Sequence, residues 1–309
     1  MKNFLLIISI AACLSQTAFS QQLPIYTQYF WNDYAINPAF TGISKFSPIQ
    51  VGVRNQWTGF KGAPATYTIG GHTSSNKNNM GFGGMMFLDD MGGAIKQSGI
   101  MLNYSYFLKI NNQSKLNFGV AGIINQYSYD GTNISAQSTN DVSLFTSSKA
   151  IAPDMNLGVA YIYNDRLKIG FSANQLIQYR IKKWNSLNMN IDAQNKLVRH
   201  YNFNASYLAN VTDKIEIEPY TLLRMTFINP IQFDLGARVI YDKNFFAGLS
   251  YRYQDAFSVM IGTTYNRFCF GYSYDITTSA IRKFSSGTHE VVLGYRFDKK
   301  GNRTGTFVH

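Results

Sequence analysis

Few residues in this sequence have types and spacing that could do covalent chemistry. His72 stands two positions before Ser74, so in a strand the imidazole and the hydroxyl would share one face, a starting point for acyl transfer. Acyl transfer also needs a third group to orient the imidazole, and no spacing nearby supplies one. His200, His289 and His309 show no HExxH or other metal-ligand spacing, and GxSxG is absent. Of the two cysteines, Cys13 falls in an apolar leader, which leaves Cys269 alone, so no internal disulfide and no thiolate metal cluster is expected. Gly81-Phe82-Gly83-Gly84 reads as a strand closely approached by its neighbours, not as a phosphate loop. The sequence therefore predicts no enzyme, no cofactor and no metal.

A second set of capable side chains is ionic. Arg54, Arg224, Arg238, Arg252 and Arg296, with Glu216, Glu218, Asp234 and Glu290, sit at alternate positions of segments whose other positions are apolar. Charges collected on one face of a sheet pair with each other when buried. They would fill a narrow lumen, or else line a polar path or a socket for a partner's acidic segment.

The elements that must carry these residues repeat one pattern from Ile49 to Phe297: eight to fourteen residues with every second side chain apolar, then a turn rich in Asn, Asp and Gly. Ile100, Leu102, Tyr104, Tyr106 and Leu108 share one face, and Phe233, Leu235, Ala237, Val239 and Tyr241 another. Segments of this length, with 21 Tyr and 23 Phe often at their ends, suit the wall and aromatic girdles of a membrane barrel. An open sheet in lipid would leave backbone groups unpaired, so the sheet must close. The expected fold is all-β: a closed antiparallel transmembrane β-barrel of about 14 strands. The strands should begin near Ile49, Ala63, Met80, Ala94, Ser114, Asp154, Arg166, Leu197, Lys214, Ile231, Asn244, Ala256, Arg267 and His289. An even count places both ends of the chain in the periplasm, and the longest gaps then follow odd-numbered strands, as external loops should.

Residues 1–20, MKNFLLIISIAACLSQTAFS, read as a signal peptide cleaved near Ser20, with Ile10-Ala11-Ala12-Cys13 as a competing lipobox. A formal charge of +11 could suggest nucleic acid, but the basic residues are scattered through strands and the chain is exported, so no nucleic-acid partner is expected. The division expected is 1–20 signal peptide, 21–48 irregular plug segment, 49–297 barrel and 298–309 periplasmic tail.

The plug expectation comes from residues 28 to 42, QYFWNDYAINPAFTG, which follow neither the helical nor the strand period. The stretch is too apolar for water and too irregular for lipid. Phe30, Trp31, Tyr34 and Phe40 should pack inside the barrel or across its periplasmic mouth. Asn32 and Asn37 should hydrogen-bond turns, and Asn37-Pro38 should fix the reversal.

Further motifs surround the first strand. Tyr29 and Trp31 in the QY-aromatic-N segment, Asn37-Pro38-Ala39-Phe40-Thr41-Gly42, Arg54-Asn55-Gln56-Trp57, Gly62-Ala63-Pro64 and a closing THEVVLGYRF occur in an order that resembles the PorP/SprF family of Bacteroidota outer-membrane proteins. The resemblance covers nearly the whole chain after the leader. It implies a cell outer-membrane component or accessory of the type IX secretion system. Such a protein would bind a secreted surface or gliding-motility protein or its C-terminal domain, assist its export or anchor it, and contact other secretion components and outer-membrane lipid. Lys182, Lys183 and Trp184, in the gap from Arg180 to Lys196, are candidate contacts for an acidic partner surface. The alternative is a barrel for small hydrophobic molecules, in the manner of the fatty-acid transporters.

Overall fold

In the computed structural model, residues 23–75, 79–131, 147–181, 196–227 and 230–298 are described. Strand β5 (Ser114–Asp130) sets the pattern for the rest. Asn117, Gly119, Ala121 and Asn125 turn inward and are buried, while Phe118 and Ile124 face outward, 48% and 63% exposed. Its long ladders run to β4 (Ile95–Lys109) and β6 (Ser147–Tyr163). The strands before them are β1 (Phe46–Asn55), β2 (Ala65–Ser75) and β3 (Met80–Asp90). After them come β7 (Leu167–Asn174), β8 (His200–Tyr207), the two-residue β9 (Ala209–Asn210), β10 (Ile215–Met225) and β11 (Gln232–Tyr241). The series ends with β12 (Phe245–Arg252), β13 (Ala256–Tyr265), β14 (Phe268–Thr277) and β15 (Thr288–Asp298).

Sequential strands pair antiparallel, β10 joins β8 to β11, and β1 pairs β15, so the sheet has no open edge and forms a closed 14-stranded barrel. The remaining strand, β9, keeps the register of β8 against β10 after a break at Leu208. Pro219 of β10 falls opposite Tyr207, beside that break, and has no N–H to offer across it.

Burial is inverted relative to a water-soluble protein. Leu102, Leu235 and Leu293 are more than half exposed, whereas Arg252 is 1% and Asn117 1% exposed. An apolar outer band over a polar interior is what a bilayer selects in a barrel wall. Two-residue turns at Asn164-Asp165 and Asp242-Lys243, with φ of 52°, 54°, 49° and 56°, are the tight reversals that match strand twist. These short turns mark the periplasmic end, and the longer connections mark the external one. Tyr241, Phe245, Tyr265 and Phe268 cluster on the outer surface near the short turns, and Tyr67, Tyr251 and Phe257 near the opposite rim.

Two strands begin three or more residues earlier than their sequence suggests. β1 starts at Phe46, not Ile49, and β6 at Ser147, not Asp154. Pro48 and Pro153 obscure both starts, yet each lies where its strand has one neighbour: Pro48 pairs Arg296 before the β2 ladder begins, and Pro153 pairs Ile124 above the short β7. A missing N–H costs no ladder bond at such an edge. β8 begins at His200 and not Leu197, and the wall runs to Asp298, one residue past the expected end. The leader expected over 1–20, and the tail beyond residue 298, lie outside the described residues.

Candidate functional site

The lumen holds the chain's own N-terminal segment, which descends from the external half of the barrel at residues 23–28 to the periplasmic mouth at Gly42, shortly before β1 begins at Phe46. Its upper part is held by charge. Arg54, near the external end of β1, donates from Nη1 to Glu290 at 3.0 Å and to Thr27 Oγ1 at 2.8 Å, and from Nη2 to Asp275 at 2.8 Å. The Thr27 hydroxyl donates to Asp275 at 2.8 Å and also accepts from Arg252 at 3.2 Å, which uses its donor and both lone pairs. Glu290 receives the backbone N–H of Thr27 at 2.8 Å and of Gln28 at 2.9 Å. Arg252 lies 3.3 Å from Asp234, 3.1 Å from Asp255 and 3.4 Å from Asp275. The ends of four strands, β1, β12, β14 and β15, thus grip two residues of the segment.

Below this, aromatic packing takes over. Tyr29, Trp31 and partly buried Phe30 pack with Tyr220, Leu222, Ile240, Phe246 and Met260 from the wall. Tyr29 meets Tyr220 edge-on at 5.6 Å, and Phe30 meets Phe246 at 5.6 Å and 89°. The Arg238 guanidinium covers the Phe30 ring at 4.1 Å while paired with Glu218.

A single turn of helix, α1 (Asp33–Ile36), follows, with Tyr34 fully buried. Asn32 precedes α1 without a side-chain capping bond and serves its turns through the backbone, donating to the Tyr29 carbonyl at 3.0 Å and accepting from Ala35 N–H at 2.9 Å. Asn103 donates to the Tyr34 carbonyl at 2.8 Å, and Ser172 and Asn174 donate to that of Ile36 at 2.8 and 3.1 Å. Burial pushes the half-buried Asp33 carboxyl up to about 6, against the opposing pull of Lys168.

Asn37 then joins the segment to the wall. Its amide donates to the carbonyls of Val159 at 3.2 Å and Phe171 at 3.3 Å, while its oxygen accepts from Ala39 N–H at 2.9 Å, capping the 3-10 turn Pro38–Phe40. The wall makes room by omission. A Cβ at Gly119 would meet Pro38 and Ala39, and one at Gly158 or Gly170 would meet the Asn37 amide. Gly119 and Gly158 are cross-strand partners, so the gap is one hole in the sheet's inner face. Asn117 donates to the Ala39 carbonyl, and Ser105 to that of Thr41 at 2.7 Å. The segment ends at Gly42, whose φ of 77° favours glycine and whose N–H donates to His72 Nδ1 at 2.9 Å. That bond leaves the imidazole proton on Nε2 and accounts for His72 as the anchor of the segment's lower end.

Tyr29, Trp31, Asn37, Pro38, Ala39 and Gly42 thus meet in the lumen, and Arg54 reaches them from the wall. Gln56, Trp57, Gly62, Ala63 and Pro64 do not. They form the external β1–β2 loop, closed by Gln56 N–H to the Pro64 carbonyl at 2.9 Å, tied to the start of β15 by Trp57 N–H to the Thr288 hydroxyl at 3.0 Å and to the β14–β15 loop by Thr58 N–H to the Gly287 carbonyl at 2.8 Å. Lys182, Lys183 and Trp184 lie outside the described residues. Sequence reasoning missed Thr27, Gln28 and Asp275, and the wall glycines; glycine at inward positions of β5, β6 and β7 was the available signal. Beside the segment, a cavity of about 110 Å³ in the external half is lined by apolar side chains including Leu23, Ile25, Met101 and Ile123, and by amides including Asn125, Asn174 and Asn202.

A model of the type IX secretion system membrane proteins PorP/SprF matches residues 18–295. No curated protein sequence matches the chain. Among solved structures, a FadL homologue from Pseudomonas aeruginosa is 12% identical, with a TM-score of 0.50 over 85% of this chain and 92% of that one, a likeness of fold. Omp33 of Acinetobacter baumannii, at 8% identity and a TM-score of 0.48, covers 83% of this chain and 100% of its own. The Pseudomonas putida toluene transporter TodX, at 8% and 0.49, covers 87% and 94%.

Proposed function

The chain belongs to the PorP/SprF family of type IX secretion system membrane proteins, and from that premise we propose that this outer-membrane barrel works by binding a secreted surface protein, with its own N-terminal segment as a permanent plug. The observation that carries this reading is the density of bonds between the segment and the wall. From Thr27 to Gly42 the segment is held to facing strands all round the barrel by ion-paired, aromatic and amide contacts. A barrel filled in this way does its work at its faces, where external loops offer contact to cargo or to its C-terminal domain, and the periplasmic rim to other secretion components. The Gln56–Pro64 loop, pinned to the β14–β15 loop, gives the external face an ordered platform, and the basic and aromatic Lys182, Lys183 and Trp184 suit an acidic cargo surface. No reaction is assigned to the barrel.

Affinity purification from native outer membranes tests the reading. One large secreted protein should co-purify, and its retention should fall when Lys182, Lys183 and Trp184 are replaced; a barrel that purifies without cargo from secreting cells overturns it. Deletion of residues 24–42 from a barrel that still folds should open a steady conductance, and unchanged conductance refutes the plug.

A second reading, transport of a small hydrophobic molecule, is favoured by the partly apolar lining of the external cavity. Uptake of such a molecule into liposomes carrying the barrel alone supports transport.

A further inference from the structure

At its periplasmic mouth the barrel opens into a cavity of about 660 Å³, bounded by the end of the N-terminal segment and by strand ends from β2 to β10. Sites of ~300–1,000 Å³ accommodate a drug-sized ligand, and hence a few residues of peptide. Its lining is strongly basic: Lys45, Lys109, Lys115, Arg166 and Lys168, against Asp165 and Glu218. Both carboxylates are engaged, Asp165 by Lys115 at 2.7 Å and Glu218 by Arg238. Among the described residues, no carboxylate stands within 4.0 Å of Lys45, Lys109 or Lys168. The field they create is felt in the turn after β6. Burial would raise the Asp165 carboxyl, yet the hydrogen bond and charge of Lys115, with Lys45 and Lys168, hold it below its ordinary range.

We infer that this mouth is a docking site for an acidic peptide segment of a periplasmic protein. The cations stand at five separate places, the strap before β1, the ends of β4, β5 and β7 and the β6–β7 turn, with Asn and Ser side chains and apolar Ile43 and Phe107 between them. A single phosphate is held by donors converging on one point. Charges spread in this way, with amides between, match an extended chain bearing several carboxylates and backbone groups to be bonded. A membrane lipid is disfavoured because the closed ladder leaves no lateral entrance from the bilayer to the cavity. The inference concerns the face opposite the external loops and stands whether or not those loops hold cargo.

The test uses the full chain, purified in neutral detergent, and a fluorescein-labelled octapeptide alternating Glu and Ser, followed by anisotropy. Saturable binding that weakens with added salt is expected, with the Gln-for-Glu peptide at least ten-fold weaker. Lys45→Gln/Lys109→Gln should weaken binding at least ten-fold, whereas Lys61→Gln/Lys283→Gln, on external loops, should leave it unchanged. Heat-modifiable gel mobility verifies that each variant is folded. The inference is overturned by unchanged affinity in the mouth variant, by an equal loss in the external one, by equal binding of the uncharged peptide, or by displacement of the peptide with millimolar inorganic phosphate at matched ionic strength. None of these outcomes touches cargo retention at the external loops, so this inference and the cargo reading fail separately.

Discussion

Two sides of the lumen hold the same segment by different physics. On the side made by β1 and β10 to β15, Thr27 to Trp31 are bound by ion-paired carboxylates and guanidinium groups and by a cluster of aromatic rings. On the side made by β2 to β8, Tyr34 to Gly42 are bound by neutral amides and hydroxyls that donate to backbone carbonyls, and by a hollow left by glycines. The charged side depends on every member being present, because each partner lost leaves a buried charge uncompensated. The neutral side depends on shape: its bonds are individually modest, and its specificity lies in what the wall omits.

Substitutions can break or sharpen that contrast. Arg54→Met should have the largest effect, about 3–5 kcal/mol of lost stability in urea unfolding, because buried Glu290 loses its guanidinium and buried Asp275 keeps only the longer contact to Arg252. A loss below that caused by any neutral-side change would erase the distinction. Gly158→Val should cost about 1–3 kcal/mol by overfilling the hollow, and should raise conductance as the Asn37 turn is displaced while the outer wall keeps its pairing. Asn37→Ala should cost about 1–2 kcal/mol in the same unfolding measurement, since it deletes two bonds to the wall and one cap but leaves the hollow intact.

A different kind of effect should be a pH dependence from Asp33. Its carboxyl is raised from 3.8 to about 6, so between these values the folded chain binds more protons than the unfolded one. This contribution is fully present below about 4 and is lost as pH rises through about 6, with Lys168, Glu218 and Arg238 as the charged groups around it. Asp33→Asn should flatten that part of the stability profile; an unchanged slope would place the titration elsewhere.

Much of the wall was legible because a strand in lipid has to alternate. Leu102 and Phe118 fall on the outward face and Asn103 and Asn117 on the inward one, as period two requires. Where Pro48 and Pro153 enter a strand, local chemistry argued against pairing, and only the neighbouring strands reveal that their missing N–H groups face no partner. The irregular QYFWNDYAINPAFTG was recognisable as something other than wall, and Asn37 was recognisable as a turn former. Its seat was not, because Gly119, Gly158 and Gly170 are separated along the chain and become one hollow only through strand register. Arg54 and the residues just after it form one run of sequence, yet Arg54 points into the lumen while Gln56 and Trp57 turn outward into a loop.

The sequence by itself therefore determined that the chain makes a closed barrel with a charged interior and a segment that cannot be wall, since periodicity and composition are local properties fixed by solvent on either face. Which residues grip that segment was decided only in three dimensions. The grip on Thr27 joins side chains more than 200 positions apart, and closure of the sheet alone brings β1, β14 and β15 side by side.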